Sequence, residues 1–204
     1  MGATDFVQDG VVELLFGAAG HWSLADAHAV AGILSIAMDE SSRSSMPLSV
    51  SLGLEPEDVR VFLTEGFPGI PLERFGALGD APLEISYEED CLRRLLRRFS
   101  TGGSMLQSRM AFLIARRCLR PNHLWQDLGL SSREELNSLM REHFAPLAAR
   151  NNANMKWKKF LYRMVCLDGN GLCTAPSCAE CTEFQSCFGE ETGVALLARN
   201  AQAR

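Results

Sequence analysis

Four of the seven cysteines in this 204-residue chain lie close together, at Cys173, Cys178, Cys181 and Cys187, with the spacing C-x4-C-x2-C-x5-C. Loops of that length hold four thiolates within a few ångströms of one centre. A protein in a reducing compartment has little reason to gather oxidisable thiols except to bind a metal. Soft thiolates suit both zinc and iron–sulfur clusters. Zinc sites favour two close pairs, each C-x2-C, separated by a longer gap. Here Cys178 and Cys181 form the single close pair, flanked by x4 and x5 arms, an arrangement nearer the C-x4-C-x2-C of plant-type ferredoxins, so an iron–sulfur cluster is the favoured occupant. Cys166 lies just upstream at the end of an amphipathic segment and reads either as a further ligand or resolving thiol, or as core packing. Cys91 and Cys118 fall inside amphipathic segments and read as buried small hydrophobes.

The rest of the composition narrows the class. The chain is 47% hydrophobic and 22% charged, the make-up of an ordinary globular protein with a core of its own. The start, Met1 to Val12, has no basic region and two aspartates, and no apolar run approaches a membrane span. A reducing, cytoplasmic location without a membrane anchor is the expectation. The net charge of −5 hides a partition: −13 over residues 1–90, +11 over 91–165 and −3 over 166–204. A segment at +11 either attracts an anion or an acidic partner, or is a solvated helix face neutralised by the acidic first half. There is no glycine-rich phosphate loop, nucleophile elbow or zincin motif, and a non-enzyme is expected.

Helical patterning supplies the scaffold. Ser23 caps a helix that ends in the polar run Asp39 to Ser45, and Ser41 to Ser51 reads as a loop. Glu55-Pro56-Glu57-Asp58 opens a helix stopping near Gly66. Gly66 to Pro82, rich in glycine and proline, reads as a connector between the acidic and basic parts. Helices follow over Glu88 to Phe99 and Met105 to Leu119, then a short pair around Gly129 whose second member is capped by Ser131-Ser132 with a reciprocal glutamate, and a last one over about Asn152 to Cys166. The fold class is all-α. The expected organisation is an acidic helical part (1–90), a basic helical part of the same domain (91–166), an irregular cysteine-rich cluster-binding segment (167–190) and a C-terminal tail (191–204).

Three stretches carry a resemblance. They are Asn122 to Leu130 with the following Ser-Arg-Glu-Glu-Leu, then Asn154 to Arg163, then the cysteine unit through Phe188. Together they resemble NifQ, a nitrogen-fixation family that supplies molybdenum for the iron–molybdenum cofactor of nitrogenase. The resemblance implies a carrier in which an iron–sulfur cluster containing molybdenum sits on Cys173, Cys178, Cys181 and Cys187, with Cys166 also at a family cysteine position. Implied partners are the cofactor-assembly scaffold, the nitrogenase iron protein, and molybdate or a molybdenum storage or donor protein. His123, inside the first stretch, is the candidate imidazole for the heterometal or for an oxo group. His21, His28 and His143 receive no role. Trp157 among Lys156, Lys158 and Lys159 reads first as a packing edge, and second as a basic docking surface. The alternatives are a zinc-knuckle nucleic-acid-binding protein using the helix pair around Gly129, and a ferredoxin-like redox protein. Three glutamates between Arg133 and His143 speak against nucleic acid.

Overall fold

The computed structural model describes residues 11–18, 20, 22–166 and 191. The cysteine-rich segment expected over 167–190, with Cys173, Cys178, Cys181 and Cys187, and the tail beyond Glu191 lie outside the described residues. Regular structure among the described residues is helical throughout. Residues 11–17 form α1. They are followed by α2 (Leu24–Ser44), α3 (Leu48–Leu52), α4 (Pro56–Gly66), a 3-10 turn at Leu72–Phe75, α5 (Tyr87–Arg98), α6 (Met105–Cys118), α7 (Leu124–Asp127), α8 (Arg133–His143), α9 (Ala145–Ala148) and α10 (Trp157–Val165).

Serine starts the helices that the sequence marks. Ser23, Ser86, Ser104 and Ser132 each accept, through the side-chain oxygen, the backbone N–H three residues on, at 3.0 to 3.2 Å. Each bond satisfies one donor that the first helical turn leaves unpaired. Glu135 Oε2 completes the arrangement at α8 by accepting from the Ser131 N–H at 2.8 Å.

α2 is the central helix. Val30, Ala31, Ile33, Leu34, Ile36 and Ala37 spread over more than half of its circumference and all are buried, the signature of a helix packed on several sides. Small residues let neighbours approach it closely. A Cβ on Gly32 would stand 2.7 Å from the Gly129 carbonyl oxygen, and one on Gly129, whose φ is +70°, 2.4 Å from the Gly32 oxygen. Glycine at both positions is therefore what allows the turn between α7 and α8 to lie against α2. α5 and α6 pack as a pair, α10 lies on α5, and one contiguous core runs from Leu14 to Val165.

Three sequence expectations are corrected. The stretch Ser41 to Ser51 is not a loop: α2 continues to Ser44, and Leu48–Leu52 is helical because Leu48 and Leu52, one turn apart, are both fully buried. Burial outweighs the poor helix propensity of serine there. The glycine- and proline-rich stretch does not separate two parts. Phe67 and Phe75 within it are buried, and it docks on α3 through hydrogen bonds from Leu48 N to Ala77 O (2.8 Å) and Ser49 N to Leu78 O (3.1 Å). The last helix begins at Trp157, not near Asn152. Asn151 closes a turn on itself, its side chain accepting from Met155 N and donating to Met155 O, while Asn154 takes φ of +54°.

Candidate metal-cluster site

The site is described from the residues that flank the cysteine segment on both sides. Cys166 closes α10 as its C-cap and is half-buried. Glu191, four positions after Cys187, returns to the helical body with its side chain only 4% exposed. Its Oε2 lies 3.2 Å from Arg133 Nη1, and its Oε1 lies 3.4 Å from His123 Nδ1. Arg133 in turn donates through Nη2 to Asn154 O (2.8 Å), Asn154 Oδ1 (3.0 Å) and Met155 O (3.1 Å). One guanidinium thus ties the start of α8, the turn before α10 and the far side of the cysteine segment. His123 stands at the N-cap of α7, with its N–H donating to Gln126 Oε1 at 3.2 Å. Its side chain is 31% exposed, so the ring has access to solvent beside Glu191.

Beneath this cluster lies a buried polar frame. Asp127 accepts from Asn122 Nδ2 at 2.8 Å and from Lys158 Nζ, which also donates to Arg120 O. Trp157 is buried, its Nε1–H donating to Asn137 Oδ1 at 2.7 Å and its ring meeting Phe160 edge-on at 5.7 Å. The packing reading of Trp157 therefore holds. The docking-surface reading does not hold for Lys158, whose ammonium turns inward to Asp127.

The basic segment as a whole behaves in the same way. At least eight of its fifteen cationic side chains pair with carboxylates, among them Arg117 and Arg120 with Glu40, Arg109 with Glu65, and Arg93 and Arg116 with Glu89. Glu40, Glu65 and Glu89 all come from the acidic first half. Arg109, Arg116, Arg117 and Arg120 are in this way neutralised across the two halves, which weakens the external field below what +11 implies. Burial lowers the affinity of the Arg116 and Arg117 guanidinium groups for their protons, and the Glu40 and Glu89 charges oppose that shift. Cys118 is buried, and desolvation pushes its thiol up to about 12, which keeps it neutral and out of any thiolate set. Cys91 is likewise buried.

α7 has four residues, all buried, and the solvent face of α8 carries Glu134, Ser138, Arg141 and Glu142. No helix among the described residues is long and apolar enough to cross a membrane.

Arg133 and His123 lie in a stretch of sequence that matches a known family, and the match reaches well beyond it. The family model described as NifQ covers residues 29–189. This chain belongs to the NifQ family. It is 40% identical to the "Protein NifQ homolog" of Sinorhizobium fredii over 169 residues, 82% of this chain and 74% of that one. It is 37% identical to "Protein NifQ" of Azotobacter vinelandii (71% and 80%) and 35% identical to that of Rhodobacter capsulatus (85% and 96%). No solved structure matches the chain. The motif resemblance spans residues 122–188, and the family match adds most of the acidic half, including most of the central helix α2. Arg133 and Asp127 fell inside the quoted stretches without being singled out. Glu191 lay in a tail with no pattern to mark it, and only its burial against Arg133 reveals it.

Proposed function

We propose that this protein is a carrier of molybdenum for assembly of the nitrogenase iron–molybdenum cofactor. Its cargo would be held with iron and sulfide on Cys173, Cys178, Cys181 and Cys187. Family membership supports the reading, and the observation that carries it is the Glu191–Arg133–His123 cluster. Glu191 follows Cys187 by four residues, and four residues of chain reach about 14 Å at most. The cysteine unit and the His123 cluster are therefore adjacent along the chain.

The donor set fits the cargo. Thiolates are suitable soft ligands for iron and for reduced molybdenum. The Glu191 carboxylate beside His123 Nδ1 favours the tautomer protonated there, which leaves the Nε2 lone pair for the heterometal or for a hydrogen bond to an oxo group. Arg133 holds Glu191 and so orients the imidazole indirectly. Cys166, at the C-terminal end of α10, is a further thiolate candidate. Delivery would go to the cofactor-assembly scaffold with the nitrogenase iron protein taking part, and loading would come from molybdate or a molybdenum storage or donor protein. Because the basic segment is largely paired internally, collection of molybdate would rest on ligand exchange at the cluster more than on long-range attraction.

The test is anaerobic purification followed by analysis for iron, molybdenum and zinc, with a visible spectrum, on the native chain, Cys178→Ala and His123→Ala. Iron with molybdenum in the native chain, both lost in Cys178→Ala, and molybdenum lowered relative to iron in His123→Ala, is the expected pattern. Zinc without iron or colour would overturn the carrier reading.

A further inference from the structure

On another part of the molecule, α2 and α8 bring three metal-ligating side chains together. Asp26 lies in the first turn of α2; Glu142 and His143 lie in the last turn of α8. One donor atom from each falls within 4.8 Å of the other two. All three line an open cavity of about 430 Å³.

The chemistry of the cluster is unbalanced as it stands. His143 is only 3% exposed, and its Nε2 lies 2.6 Å from Asp26 Oδ1. Its Nε2 edge is the one turned to Asp26, so a metal held by both would bind there in place of the proton that the two groups share. Glu142 adds a second, exposed carboxylate. The nearest cation on the cavity wall, Arg109, is taken up by Glu65 at 3.4 Å and by the face of Phe62. Asp26 and Glu142 therefore face one imidazole, and no Lys or Arg other than Arg109 lines the cavity. A divalent cation would cancel that excess, and water in the cavity has room to complete its coordination.

We infer that Asp26, Glu142 and His143 form a binding site for a divalent first-row transition metal, separate from the cysteine segment. One imidazole and two carboxylates are donors of intermediate to hard character, matched to ions such as iron(II), manganese(II), cobalt(II) or zinc(II), and mismatched to a thiolate-bound cluster. Asp26 and His143 are positioned by the core, since the His143 carbonyl also accepts from Thr101 N at 2.8 Å. Glu142, exposed, supplies the ligand that swings in.

Cobalt(II) is the probe that separates this site from the thiolates, because sulfur ligation adds an intense charge-transfer band that nitrogen and oxygen ligands lack. The metal-free full-length chain and its Cys178→Ala variant are titrated anaerobically and followed by visible absorption. The expected result is a nitrogen- and oxygen-ligated ion with weak d–d bands, distinct from any cobalt that the thiolates take up with charge-transfer bands, retained in Cys178→Ala and bound at least tenfold more weakly by Glu142→Gln. Glu142 is a surface residue, so that variant keeps its fold; Asp26→Asn supplies a second reading, with circular dichroism as the check. Absence of any nitrogen- and oxygen-ligated cobalt at millimolar concentration, or equal affinity in Glu142→Gln and the native chain, overturns the inference. Neither result bears on the molybdenum carrier reading, which rests on the cysteines.

Discussion

Replacing Arg133 with alanine should cost far more than replacing its partner Glu191, and the reason is visible in what each leaves behind. Without Arg133, the Glu191 carboxylate stays buried at 4% exposure with only His123 at 3.4 Å to face it, and the Asn154 and Met155 carbonyls lose a charged donor. Without Glu191, Arg133 still donates to Asn154 O, Asn154 Oδ1 and Met155 O. Stranding a buried charge costs about 3–5 kcal/mol, and a hydrogen bond to a charged group contributes about 1.5–3 kcal/mol. Arg133→Ala is therefore expected to destabilise the metal-free chain by about 3 kcal/mol and Glu191→Ala by about 1 kcal/mol. For a chain of this size, 3 kcal/mol lowers the midpoint by about 6–12 °C. Urea unfolding followed by far-UV circular dichroism gives the single and double variants, and the cycle isolates the coupling. Additivity to within about 0.5 kcal/mol would refute the reasoning, because two side chains in real contact do not behave independently.

Two other variants probe the scaffold. Asp127→Ala leaves the Lys158 ammonium, 16% exposed, with only the Arg120 carbonyl, and should destabilise by about 3 kcal/mol; loss of a pair at this burial with no change in the urea midpoint would contradict the frame beneath the site. Cys118 gives a pH signature. Its thiol is raised in the folded chain to about 12 from an ordinary 9.0, so above pH 9 the unfolded chain releases a proton that the folded chain keeps. Stability should fall as pH rises through that window, by up to about 1.4 kcal/mol per pH unit from this group, and Cys118→Ala should flatten the decline. An unchanged profile in Cys118→Ala would show that the thiol is not held neutral by burial.

Local sequence was sufficient for most helices because their signals are local. A serine followed three residues later by a free N–H, or a proline with acidic residues in a first turn, acts within one turn of chain, as at Ser23, Ser132 and Pro56. The four-cysteine motif was equally legible, since its spacing is written along the chain, and with its flanking stretches it was enough to point to the family. Where the sequence misled, the deciding energy was long-range. Leu48–Leu52 is helical because the core accepts Leu48 and Leu52, and the last helix starts late because Asn151 and Asn154 spend their polar groups on a turn.

Charge shows the difference most plainly. The partition into −13 and +11 is a property of the sequence, but its meaning is tertiary: the folded chain lays Glu40, Glu65 and Glu89 against the arginines of α5 and α6. The acidic half is thus part of the same core, which its central helix α2 helps to build. In the same way His143 had no sequence context, because its neighbour Asp26 is 117 positions away along the chain and 2.6 Å away in space. Residue types determine which chemistry is available; only the close approach of distant helices, driven by burial of their apolar faces, decides which side chains share a site.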